Sequence, residues 1–175
     1  MKILSTISFI ICAAVLIGVA QFDHQQLPPK IASHFNGSGV ANGWMASSSF
    51  TFLMVVIGLG LPAFVIGVLY STRFFPSSLL NVPNAEYWRT PQNYRMACDY
   101  LFYSSLWFGC AFVLWQAALF HMIVAANLVT PPHLNSTEII LLASLLLIFT
   151  GAWITTLLRH FLKTNTVEQG AAANP

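Results

Sequence analysis

The sequence predicts an all-α integral membrane protein, a four-transmembrane-helix bundle with a structured extracytoplasmic loop between helices 1 and 2. Three observations predict it. Of 175 residues, 57% are hydrophobic and only 7% are charged, whereas a soluble domain carries about 25% charged residues. Four apolar runs, 3–20, 50–70, 100–128 and 139–158, contain no Asp, Glu, Lys or Arg, and about 20 such residues cross the hydrocarbon core of a bilayer. The basic residues then fall almost entirely on one side of these runs. Backbone polar groups in lipid must be satisfied within their own segment, so the runs are expected to be helices. The chain is short enough for one domain, placed at 1–163. A tail at 164–175, polar and then Ala-rich, is expected to be disordered.

The first run follows Lys2 and is read as a retained helix. Gly18-Val19-Ala20 resembles a small-residue cleavage site, but the run is longer than the h-region of a signal peptide. Ala14 and Gly18 are four apart, as are Ala63 and Gly67 in the second run, a spacing that permits close helix contact. Pro62 is expected to bend the second helix. The third run is longer than a bilayer needs, so it tilts or projects beyond one face. Asn135 followed by Glu138 reads as the N-cap and acidic third position of the fourth helix. Tyr70, Trp153 and Trp44 lie where an aromatic belt would put them.

Orientation comes from Lys2, Arg73, Arg89, Arg95, Arg159 and Lys163, which share one side, against Lys30 on the other. Cytoplasmic loops collect basic residues. Both termini are therefore expected in the cytoplasm, in the inner membrane of a bacterium. No Lys/Arg cluster is present to neutralise phosphates, so nucleic acid is not an expected partner. Cys12, Cys98 and Cys110 are an odd set without zinc spacing and read as apolar packers. Asp23, His24, His34, His121 and His133 match no standard metal spacing. No carboxylate falls inside a run, which argues against an ion-coupled transporter. No nucleophile–base pair is evident. The expectation is a non-enzymatic protein with no catalytic residues, no metal and no cofactor. His121 stays a candidate because an ionisable residue within a membrane segment is costly.

The most informative stretch is the outer segment 21–49. Pro28 and Pro29 stiffen its entry, and Asn36-Gly37, Ser38-Gly39 and Asn42-Gly43 are turn dipeptides. Ile31, Phe35 and Trp44 are apolar enough to pack back on the membrane surface. His34 is expected to hydrogen-bond within the loop or to meet a ligand. The stretch resembles the domain of unknown function found at the start of SdpI-type membrane proteins. Their pattern of Leu-Pro, Ile, His-Phe, Gly and Gly-Trp or Gly-Tyr is met by Leu27, Pro28, Ile31, His34, Phe35, Gly39, Gly43 and Trp44. Asn42 stands where those proteins often carry Asp. A second stretch, Asn81-Val82-Pro83-Asn84-Ala85-Glu86-Tyr87-Trp88, looks like their loop between helices 2 and 3.

The resemblance implies immunity to, or signalling of, a secreted peptide toxin. It makes Pro28, His34, Phe35, Asn36, Gly39, Gly43 and Trp44 candidate contacts for an extracytoplasmic peptide or small ligand. Asn81, Pro83, Asn84, Tyr87 and Trp88 become a candidate cytoplasmic loop, set among headgroups or docked on a membrane or cytoplasmic protein partner. Two alternatives stay open: a structural or assembly subunit of a larger membrane complex, and a metalloenzyme using His24, His34, His121 or His133.

Overall fold

The structure, a computed structural model, describes residues 2–162. In chain order it runs α1 (Lys2–His24), β1 (Lys30–Phe35), β2 (Ala41–Ala46), α2 (Ser47–Ser71), 3-10 turns at Thr72–Phe74 and Ser77–Leu79, α3 (Ala85–Trp88), α4 (Pro91–Asn127) and α5 (Ser136–Leu162). Four of these helices, α1, α2, α4 and α5, are long and apolar enough to cross a membrane. They carry the four apolar runs. The tail expected at 164–175 lies outside the described residues.

The all-α expectation needs one correction. β1 and β2 pair antiparallel between α1 and α2, so the loop there is a β-hairpin. Its backbone N–H and C=O groups are paired by a sheet where short turns alone would leave them open.

Helix lengths also differ from the runs. α4 has 37 residues, about 55 Å at 1.5 Å per residue, against about 30 Å of hydrocarbon. Its surplus lies before Tyr100, where Pro91 at the first helical position starts it early. α5 begins at Ser136, and the expected cap is present. Asn135 Oδ1 accepts from the Thr137 N–H at 3.0 Å, while Asn135 Nδ2 donates to Glu138 Oε1 at 3.0 Å. α2 continues through Pro62 as one helix.

α4 is the hub, packed on α1, α2 and α5. It supplies most of the buried residues among the described ones. The outer faces of the other helices are apolar and bare. Leu147 and Ile148 of α5 are 72% and 71% exposed. So broad an apolar surface would be unstable in water and suits a lipid bilayer.

The close helix contacts are not where the sequence spacing put them. Ala14, Gly18, Ala63 and Gly67 are all exposed, and a Cβ on Gly18 or Gly67 would meet nothing within 4 Å. The tight approaches are at Gly58 and Gly109. A Cβ on Gly58 would lie 2.7 Å from Gln116 Cγ and from Leu16 Cδ2, and one on Gly109 would lie 2.8 Å from Phe9 Cε2. A helix that is hydrophobic all round gives no periodicity to show which small residues turn inward.

Polar side chains tie the helices where hydrophobic contrast with lipid cannot. Gln116 Nε2 donates to the Met54 carbonyl of α2 at 3.2 Å. Trp115 Nε1 donates to the Leu142 carbonyl at 3.0 Å, and Trp153 Nε1 to Ser104 Oγ at 2.9 Å. These last two hold α5 on α4. Trp153, expected as a belt residue, is thus a cross-helix donor.

Candidate functional site

The hairpin is the best-built feature outside the helices. At its base, the Ser47 N–H, the first of α2, donates to the Pro29 carbonyl at 3.0 Å. At its tip, Asn36 Oδ1 accepts from the N–H groups of Ser38 and Val40, each at 3.0 Å. This side-chain turn closes the connection. Gly39 has φ +78 and is buried. A Cβ there would lie 1.9 Å from the Leu134 carbonyl oxygen, so both backbone and space require glycine. The tip docks on the segment between α4 and α5. The Leu134 N–H donates to the Gly39 carbonyl at 2.9 Å, and Ser136 Oγ to the Gly37 carbonyl at 3.1 Å.

The middle of the hairpin is clamped from below by Asn127, the last residue of α4. Its Oδ1 accepts from the Ala32 N–H at 2.7 Å, and its Nδ2 donates to the Ala32 carbonyl at 2.9 Å. One amide side chain thus acts as a short strand for Ala32, which is fully buried. Beneath it, Ile31 packs with Ala20, Phe50, Met54, Phe120, Ile123 and Val124. Leu27, Phe35 and Met45 lean on the same cluster.

Two compensating irregularities shape the outer surface. Register passes from Ala32↔Trp44 to His34↔Gly43, then to Phe35↔Ala41. Ser33 is therefore extra on β1 and Asn42 extra on β2, bulges that re-aim side chains. They bring His34 beside Asn42, and His34 Nδ1 donates to Asn42 Oδ1. With Nδ1 donating, the neutral ring keeps Nε2 as an acceptor. Gly43 makes room for the pair, since a Cβ on it would lie 2.9 Å from His34 Cβ. His34, Asn42 and Trp44 are all exposed, Trp44 at 50%. Pro28 and Asn36 are exposed at the base and tip, and Phe35 is half-buried.

Residues 9–59 match a domain of unknown function, DUF1648. The matched part spans most of α1, the whole hairpin and the first half of α2. The chain is similar to that family over this segment. No curated protein and no solved structure matches the chain.

A second polar pair lies near the same end of the bundle. Asp23, in the last turn of α1, is 1% exposed, and His121 Nδ1 donates to its Oδ2 at 2.8 Å. The apolar run 3–20 has no carboxylate, as read from the sequence, but the helix is longer than the run. α1 runs past Ala20 to His24, which carries Asp23 onto α4. The half-buried His24 is also engaged, with Nδ1 2.9 Å from Thr51 Oγ1. His133 contributes backbone, bridging to Val40. Among the described residues, no three of His, Cys, Asp or Glu gather as a metal site requires.

The stretch 81–88 has a different setting. Asn84 adopts the left-handed conformation at φ 53 and caps α3. Its Nδ2 donates to the Leu162 carbonyl at 2.9 Å, and Trp88 Nε1 donates to the Phe161 carbonyl at 2.9 Å. These two side chains satisfy carbonyls in the last turn of α5 that have no partner within the helix. Trp88 is 6% exposed and clusters with Leu80, Ala97, Leu101 and Phe161, so its ring is packed inside the protein. Tyr87 packs edge-on against it, ring centroids 5.1 Å apart. Asn81 is exposed and Pro83 half-buried.

Sequence reading missed Asn127 and the pairing of Asp23 with His121. Asn127 had a signal, a lone amide at the end of an apolar run. The pairing joins positions nearly a hundred residues apart and had none.

Proposed function

We propose that this chain is a multi-pass protein of the bacterial inner membrane whose hairpin faces outward and recognises an extracytoplasmic peptide or small ligand. The observation that carries this reading is a contrast within one small element. The backbone of the hairpin is held at base, middle and tip by Pro29, Asn127 and Leu134. The side chains of His34, Asn42 and Trp44 are spent on nothing beneath them. A rigid support for an exposed aromatic and an oriented imidazole is what a recognition surface needs, because ordering costs are met before the ligand arrives. Tyr and Trp also carry most of the affinity in such patches. The resemblance to SdpI-type proteins supports a peptide as the ligand.

The test is in-cell photocrosslinking from a benzoylphenylalanine at position 44, with position 22 as control. Phe22 is 68% exposed on α1 and should meet only lipid. A discrete adduct at 44 that disappears with His34→Ala supports recognition. Adducts that are absent, or indifferent to His34→Ala, defeat it.

A second reading, an assembly subunit of a larger complex, draws on α5. Phe161 is the one fully buried residue of that helix among the described ones, and the face turned away from α4, with Leu141, Leu145 and Ile148, is open to lipid or to another chain. Native electrophoresis after mild extraction separates the two readings, since a lone species counts against assembly.

A further inference from the structure

At the end of the bundle opposite the hairpin, a cavity of about 480 Å³ lies between the turn after α2 and the first turns of α4. It is lined by Arg73, Phe74, Tyr94, Arg95, Cys98 and Asp99. Arg73 is held in place before any ligand arrives. Its Nε donates to the Tyr70 carbonyl at 3.1 Å, and its guanidinium lies over the Tyr70 ring, 3.9 Å from the centroid. Its Nη2 is buried and has no hydrogen-bond partner among the described residues. The nearest carboxylate oxygen, Asp99 Oδ1, is 3.8 Å away, an ion-pair distance too long for a hydrogen bond. The side chain as a whole is 28% exposed, and a guanidinium anchored through Nε and over a ring can turn its remaining N–H groups toward a tetrahedral oxyanion. Arg95 is exposed on the same lining. Two arginines against Asp99 leave the lining with one net positive charge.

The surroundings say where that anion comes from. Phe74 lines the cavity, and Phe75 and Leu79 line a neighbouring groove that shares Tyr94 with it; the three are 73%, 54% and 67% exposed. Three large apolar side chains beside two arginines make an interfacial surface, with hydrocarbon for the rings and headgroups for the charges. The single Tyr94 O–H is shared between the carbonyls of Thr72 and Phe75, which fixes the turn that presents Arg73 and Phe74 together.

We propose that this cavity binds the phosphate of an anionic phospholipid, with Arg73 and Arg95 on the headgroup and Phe74 and Phe75 along the acyl chains. The site goes beyond ligand recognition by the hairpin and stands whether or not that reading holds.

The test is native mass spectrometry of the full chain in detergent, titrated separately with phosphatidylglycerol and phosphatidylcholine. The wild type prefers phosphatidylglycerol. Arg95→Gln lowers that preference about fivefold, the share of one arginine near an anionic surface. Arg73→Gln lowers it at least as much. Arg73 also braces Tyr70, so the decision rests on Arg95→Gln, whose exposed side chain leaves the melting curve unchanged. An undiminished preference in Arg95→Gln overturns the site. Displacement of phosphatidylglycerol by an equal concentration of inorganic phosphate overturns the lipid as its occupant.

Discussion

Asn127→Ala is expected to release the hairpin from the helices and leave the helices assembled. The substitution removes both bonds to Ala32 and a third to the Ile123 carbonyl at 2.9 Å. Ala32 is 0% exposed, so its N–H and C=O would stay buried and unpaired. Each such group costs about 1–3 kcal/mol, so the two together cost about 2–6 kcal/mol. Amide exchange at Ala32 should then quicken on the order of 100-fold, since about 1.4 kcal/mol is a factor of ten. The amides in the middle of α4 should change little. Asn127→Asp sharpens the test. It keeps an acceptor for the Ala32 N–H but sets an oxygen against the Ala32 carbonyl, so it is also expected to fail. Normal exchange at Ala32 in either variant would show that the clamp does not hold the hairpin.

Trp88→Ala is expected to free the end of α5. The side chain fills a buried cluster, and its N–H serves the Phe161 carbonyl. Replacing a buried Trp by Ala costs about 3–5 kcal/mol, which for a chain of this size is a fall in melting temperature of roughly 10 °C. Trp88→Phe separates the two contributions. It keeps most of the ring burial and loses the donor, a loss of about 1 kcal/mol, and Asn84 still serves the Leu162 carbonyl. The ordering wild type, Phe, Ala in melting temperature is the expected result. Equal melting of Ala and wild type would mean that α5 is held by the bonds of Trp115 and Trp153 alone.

The helices were legible because uncharged runs of this length have no stable place in water. Their inward faces were not, because nothing in an all-apolar helix separates lipid from protein. Gly18 and Gly67 therefore looked like contacts, while Gly58 and Gly109 make them. The hairpin was legible as turns, since Asn36 and Gly39 do what those residue types do at a tight connection. Its strands were hidden by the bulges at Ser33 and Asn42, which break the alternation of buried and exposed positions that marks a strand. His34 was read as hydrogen-bonding loop backbone or meeting a ligand, whereas it lies on β1 and bonds the Asn42 side chain. Asn84 and Trp88 read as a loop surface because their acceptors, the carbonyls of Leu162 and Phe161, lie more than seventy positions further along the chain.

The hairpin as an outward platform and the arginine cavity as an inward lipid site depend on one placement: the two ends of the bundle on opposite sides of a bilayer. Single-cysteine variants at Ser38 and Asn81, both exposed, test it directly, with Cys12, Cys98 and Cys110 replaced by Ala. In intact cells a membrane-impermeant maleimide should label Ser38→Cys, and it should label Asn81→Cys only after the cells are opened. Labelling of both sites in intact cells, or of Asn81→Cys alone, would contradict the account.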